Sequence, residues 1–320
     1  MENYLWYDIF IEMLHKKYPK KSDLLQALMD LLCIEREAVY RRLRQDVLFT
    51  VHEIAKICTA WNISLDAIIG TNSSQVPFQM RRMNYVDPSE DELKFLRLVL
   101  QGILLIKNYP DTEFMDICNK LPRQIAAGYE YLNRFYLFKW IYQYGNEKEV
   151  ISYSGTVISN EIAQLRIDYY EAIKQVPTSN FILDRNLFEI LVSDIRYFYS
   201  IQLITDEEKD MIKKDLHNLL DYTLEVATFG CYPETKNKVN LYISELNIDA
   251  NYSYAFSKDA EICFIHVFEK FDIYTYDREM AIKFKKWMQL KKRSSIQISI
   301  VDERSRIEYF VKQRQIVDEL

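Results

Sequence analysis

Of the 320 residues, 6 are Gly and 7 are Pro, together about 4% against an average near 12%. So few turn formers exclude a β-sandwich or a propeller, and 49% hydrophobic with 28% charged residues excludes a disordered chain. The net charge is −6, with 11 Lys/Arg against 10 Asp/Glu over residues 1–84 and 30 against 37 over residues 85–320, so bulk attraction to nucleic acid is excluded and any such contact must be local.

Residues 3–18 place Leu5, Ile9, Met13 and Tyr18 at helical spacing, and Pro19 ends that helix. Ser22 is placed to cap a second helix beginning at Asp23. Cys33 and Ile34 form a short turn. Residues 35–45 form a third helix, with acids in its first turn and arginines toward its end, as the helix dipole favours. Thr50 and Glu53 form a capping box for a fourth helix that runs to Trp61. Ser64 caps a short fifth helix ending before Gly70. Residues 71–88 lack periodicity, contain two prolines, and read as a linker.

Helical patterns follow over 89–107, 111–120, 123–143, 157–175, 180–203 and 205–229, which predicts a central helical domain of residues 89–230. A repeat of about 34 residues shows no consistent signature, which leaves a tetratricopeptide-like array unsupported. After Gly230 the pattern changes. Residues 239–246 alternate apolar and polar, and 252–256, 261–268 and 272–276 are β-like. Helix returns over 277–292, a strand is expected over 295–301, and a helix closes the chain over 302–320. The predicted fold class is mainly α with a smaller α/β module at residues 231–320, preceded by five short helices in residues 1–70.

Cysteines 33, 58, 118, 231 and 263 show no CxxC or zinc spacing, which points to a reducing compartment and to no metal site. The N-terminus carries acids where a signal peptide needs bases, and no apolar run reaches the length of a membrane span. The expected location is the cytoplasm.

The four histidines (15, 52, 217 and 266) form no HxxxH or HExxH pattern. No P-loop, GxGxxG or GxSxG occurs. No cofactor and no enzymatic activity are expected. His266 lies in an apolar strand pattern and reads as a core or partly exposed residue. Asp206, Glu207 and Glu208 read as an acidic first helical turn. Lys283, Lys285, Lys286, Lys291, Lys292 and Arg293 form a basic patch around Trp287, read as a solvated helix end, with a surface flanking DNA or an anionic ligand as the alternative.

Residues 24–69 resemble the helix-turn-helix of lambda-repressor-like, Xre-type transcription regulators. Leu28, Met29, Leu32 and Ile34 match the apolar positions of the first motif helix and turn, and Val39 matches the buried aliphatic of the recognition helix. Ile54, Ile57, Ala60 and Trp61 match the following scaffold helix, and Ile63-Ser64-Leu65-Asp66 matches the start of the last one. Cys33 stands where the family has a turn glycine, and residues 45–50 replace its usual G-x-x-P-S. The resemblance implies a five-helix domain binding double-stranded DNA, commonly as a dimer.

With Val39 and Leu43 inward, helical spacing turns Arg36, Tyr40, Arg41 and Arg44 outward. A recognition helix enters the major groove and reads base edges near its N-terminus. Arg36 and Tyr40 are therefore expected at base edges, Arg44 at phosphate, and Arg41 at either. The expected function is a DNA-binding transcription regulator. The C-terminal region would supply dimerisation or the sensing of an effector that the sequence does not identify. The alternative is a helix-turn-helix fold kept as a protein–protein adaptor without DNA binding.

Overall fold

A computed structural model describes residues 5–61, 63–69, 76, 78–80, 89–145, 152–257, 260–267, 271–275 and 277–320. The described residues are mainly helical with one mixed eight-stranded sheet, and the chain divides into two units, Met1–Phe78 and Gln79–Leu320. Among the described residues no helix is long and apolar enough to cross a membrane.

The first unit contains α1 (Leu5–Lys17), α2 (Lys21–Leu32), α3 (Arg36–Leu43), α4 (Val51–Trp61) and α5 (Leu65–Ile69). Tyr7, Phe10, Ile11 and Leu14 are the buried stripe of α1, at the i, i+3, i+4, i+7 spacing of one helix face. Ile9 and Met13, expected inward, are only partly buried beside it. Leu24, Leu25, Leu28 and Leu32 of α2 and Ile54, Ile57 and Trp61 of α4 complete the core around Val39. The capping box at Thr50 is present: the Thr50 amide donates to Glu53 Oε2 (2.8 Å) and the Glu53 amide to Thr50 Oγ1 (3.2 Å). The cap expected at Ser22 is not. Helix α2 begins at Lys21 with Lys20 in the cap position, and the Ser22 hydroxyl donates to Asp23 Oδ1 instead. The predicted linker, residues 71–88, lies largely outside the described residues.

The second unit opens with β1 (Gln79–Met80) and α6 (Ser89–Ile106). The elements β2 (Glu113–Cys118), α7 (Arg123–Ala126), α8 (Glu130–Tyr144), α9 (Asn160–Lys174), β3 (Thr178–Asp184), α10 (Leu187–Ser200), α11 (Asp206–Phe229) and β4 (Lys238–Ser244) follow. The chain ends with β5 (Asn251–Ser257), β6 (Ala260–Val267), β7 (Phe271–Thr275), α12 (Arg278–Lys291), β8 (Ser295–Gln297) and α13 (Glu303–Asp318). The sheet order is β1-β7-β6-β5-β2-β3-β4-β8. Strands β2, β3 and β4 run parallel, joined by helical crossovers as parallel neighbours require, and the other pairings are antiparallel.

This corrects the predicted division at residue 230. Residues 89–230 are not a separate helical bundle: they supply β2 and β3, which share one sheet with β4 to β8. The segment 111–120, read as helix, contains β2, and the segment 180–203 contains most of β3 before α10. Both strands are buried on both faces over nearly their whole length. Burial on both faces removes the alternation that marks a half-exposed strand, and the buried Asp116, Ser179, Asn180 and Asp184 also break the apolar run that a fully covered strand would otherwise show.

One face of the sheet, with Phe114, Cys118, Phe181, Leu183, Val239 and Leu241, packs in the large core with buried residues of α8, α10, α11 and α13. The other, with Met115, Ile117, Ile182 and Tyr254, packs with Phe284 and Met288 of α12. Asp206, Glu207 and Glu208 form the acidic first turn of α11, where Thr205 and Glu208 make a capping box. Gly230 closes that helix at φ 64°.

Candidate nucleic-acid interface

The turn between α2 and α3 is made by Cys33 in the left-handed conformation, φ 54° and ψ 45°, with its amide bonded to the Met29 carbonyl at 2.9 Å. Glycine takes that conformation without strain, whereas a side-chain-bearing residue pays roughly 1–2 kcal/mol. Val39 is fully buried and fixes which face of α3 turns inward. The loop after α3 is tied to α1: the Phe49 amide donates to the Tyr7 hydroxyl (2.8 Å), the Phe49 ring meets Phe10 edge-on, and Gln45 Nε2 donates to Asp8 (2.9 Å). Burial raises the Tyr7 phenol, although the Phe49 amide opposes this.

The arginines of residues 36–44 divide into two groups. Arg42 serves the fold: its guanidinium bonds Glu53 on α4 through two nitrogens and donates to the Ala38 carbonyl at 3.2 Å. Arg36, Arg41 and Arg44 are exposed, and Tyr40 is half-buried. Arg36 and Arg44 lie 5.6 and 5.5 Å from the centre of the Tyr40 ring, and Lys21 of α2 lies 5.5 Å from it. These are cation–π distances. Arg36 Nη2 is also 3.5 Å from the Tyr40 hydroxyl. Among the described residues, none of Lys21, Arg36, Arg41 and Arg44 is paired with a carboxylate.

The structure therefore brings Arg36, Tyr40 and Arg44 together, while Arg41 makes none of these contacts. Lys21 joins the group unforeseen. Its signal was the Lys20-Lys21 pair at the start of α2, on a different helix from the arginines. Three cations around one ring form an electropositive spot suited to an anion such as phosphate. The exposed Glu35 and Glu37 at the start of α3 would oppose an anion there by like-charge repulsion.

The basic patch around Trp287 is more committed. Lys283 pairs with Glu279, Lys285 pairs with Glu113 and lies 3.8 Å from the Phe256 ring centre, and Lys292 donates to Asn180 Oδ1 at 2.8 Å. Burial lowers the Lys292 amine from its ordinary value. Lys291 stands over Trp287 itself. No family model, curated protein or solved structure matches the chain.

Proposed function

We propose that the first unit is a lambda-repressor-like, Xre-type helix-turn-helix that reads duplex DNA through α3. The second unit then supplies dimerisation, sensing, or both, in a cytoplasmic transcription regulator. The observation that carries this reading is the cluster of Lys21, Arg36 and Arg44 around Tyr40, exposed cations without carboxylate partners among the described residues. Arg36 opens α3, and the first turns of a recognition helix reach base edges. Arg44 and Lys21 suit phosphate contacts that set register on the duplex. A single motif buries little DNA surface, so a homodimer reading half-sites about 34 Å apart is the expected working form.

The experiment is selection of bound sequences from random duplex DNA by the full chain. Binding of the selected and scrambled duplexes is then measured from about 50 to 200 mM salt. A recovered motif whose binding falls steeply with salt supports the reading. Absence of duplex binding at the lowest salt overturns it and leaves the adaptor reading.

A further inference from the structure

Helix α12 closes its face of the sheet unevenly. Phe284 and Met288 pack on Met115, Ile117, Ile182 and Tyr254, but β4 stays partly open. There Val239, Leu241 and Ile243 are buried in the large core, while on the opposite face Lys238 is exposed and Asn240 and Tyr242 are half-buried. The chain leaves α12 through one tight turn, Lys292–Ser294, and Lys292 reaches this open strip.

Asn180 of β3, only 1% exposed, holds the strip together. Its Oδ1 accepts from Lys292 Nζ at 2.8 Å and from Asn240 Nδ2 at 3.1 Å, and its Nδ2 donates to Glu113 Oε1 at 3.0 Å. Lys285 Nζ lies 3.2 Å from the other oxygen of Glu113. Asn180 and Asn240 are direct partners in the parallel ladder of β3 and β4, so strand register sets this arrangement.

Charge counting leaves Lys292 over. Glu113 and Lys285 neutralise each other. An ammonium carries three N–H donors. Among the described residues that of Lys292 has one acceptor, the neutral Asn180 amide, and the Tyr242 ring centred 5.2 Å from its nitrogen. Lys238 lies on the same face of β4 as Asn240 and Tyr242, two residues before Asn240, a step of about 7 Å along a strand. It has no carboxylate partner among the described residues either. Two cations thus share one strip without a matching anion. A half-buried ammonium in that position is costly unless an anion meets it. Burial lowers the Lys292 amine from its ordinary value; Glu113 opposes this and Lys238 adds to it.

We propose that Lys292, Lys238, Asn240 and Tyr242 form a binding site for a phosphate dianion, either free or as the terminal group of a small molecule. Two ammonium groups match the charge of a dianion, and lysine binds phosphate as a point charge. The Asn240 amide has a second hydrogen, and the Tyr242 hydroxyl has no partner among the described residues, so both are neutral donors for phosphate oxygens. A monocarboxylate brings half the charge and binds less well. The site lies within the second unit. It gives the sensing role proposed for that unit a ligand class, but its test does not depend on DNA binding by the first.

Lysine acylation of the full chain, read by mass spectrometry, tests the site with inorganic phosphate as probe and sodium chloride at equal ionic strength as control. At a phosphate concentration about twice the dissociation constant, labelling of Lys238 and Lys292 should fall about threefold. Lys283 and Lys286, exposed on α12, should not change. Lys292→Met keeps an unbranched chain beside Tyr242 and should abolish the protection of Lys238. Lys238→Ala, at an exposed position, should raise the phosphate needed to protect Lys292 by about fivefold. Acetate should protect less than phosphate. Protection by glucose 6-phosphate as well as by phosphate identifies a phosphorylated molecule, and protection by phosphate alone identifies the free ion. No selective protection up to about 50 mM phosphate, far above any useful affinity, overturns the site. So does protection of Lys238 that survives Lys292→Met. Protection by a scrambled DNA duplex but by neither phosphate compound overturns it in favour of a surface that flanks DNA.

Discussion

Arg42 and Glu53 join α3 to α4 through two parallel contacts, Nε to Oε2 at 3.0 Å and Nη2 to Oε1 at 2.8 Å. Paired geometry of this kind suits a planar guanidinium and a carboxylate. The side chains are 17% and 12% exposed, so water screens the pair only in part. Glu53 also accepts from the Thr50 amide that opens α4. One carboxylate thus ties α3 to the start of α4, which removes Arg42 from the set available to a ligand.

Arg42→Ala should therefore lower the stability of the first unit by about 1–3 kcal/mol without deleting an exposed cation. Burial raises the Glu53 carboxyl, but the hydrogen bonds from Arg42 and from Thr50 outweigh it and hold the group below its ordinary 4.5. Its contribution is present above 4.5 and is lost as the pH falls through the lower folded value. The stability gap between parent and Glu53→Gln, read by thermal melts, should be wide at pH 7 and narrow in acid.

The alternating segments after residue 230 were legible because one-sided burial writes a period of two into a strand. Strands β4 to β7 fall within a residue or two of their predicted limits. Strands β2 and β3 were not legible: Phe114 to Cys118 and Ser179 to Asp184 are buried whichever way they point. The last predicted strand stops at Gln297, before Ile300 turns to φ 64°. On α3, spacing from Val39 was enough to set Arg41 outward, whereas Arg36, three residues before Val39 and seven before Leu43, shares their face and is exposed because it opens the helix. Lys21 was hidden because its nearness to Tyr40 depends on how α2 packs against α3. The contacts of Asn180 with Asn240 and Lys292 depend on strand register, which one sequence does not reveal.

Cys33→Gly tests the turn. At φ 54° a Cβ is a burden that glycine lacks, while glycine costs more entropy on folding. The balance should favour glycine by about 0.5–1 kcal/mol, seen as a raised melting temperature with unchanged helix content. A lower melting temperature would mean that the Cys33 side chain contributes more than its conformation costs.

Gly230 is required twice over. Its φ is 64°, and a Cβ placed there would run into the Ile300 side chain. Gly230→Ala should destabilise the second unit by about 1–3 kcal/mol. Ile300→Ala in the same chain should return the steric share and leave the conformational one. Denaturant unfolding of the single and double variants measures the difference. Full additivity would show that the Ile300 contact is not the cause.

Arg36 and Arg44 flank the same ring, yet the DNA-binding reading gives them different tasks. Arg36 opens α3, where a guanidinium can bond both acceptors on a guanine edge. Arg36→Ala should cost about 1–3 kcal/mol on the best site and relax the sequence preference there. Arg44 caps the far end of the helix, where the DNA backbone is the expected neighbour. Arg44→Ala and Lys21→Ala should weaken matched and scrambled duplexes alike, each reducing the salt slope by about one. All three side chains are exposed, so melting temperatures should barely move, because exposed substitutions usually change stability by less than about 0.5 kcal/mol. Tyr40→Leu keeps an apolar cover over α3 but removes the ring that holds the cations together. It should weaken binding through loss of preorganisation, with a smaller effect on sequence preference than Arg36→Ala. Titration of matched and scrambled duplexes at several salt concentrations separates these outcomes. If Arg36→Ala and Arg44→Ala fold and bind as the parent does, α3 is not a recognition helix. The cation-ringed tyrosine would then be a docking point for an acidic protein partner.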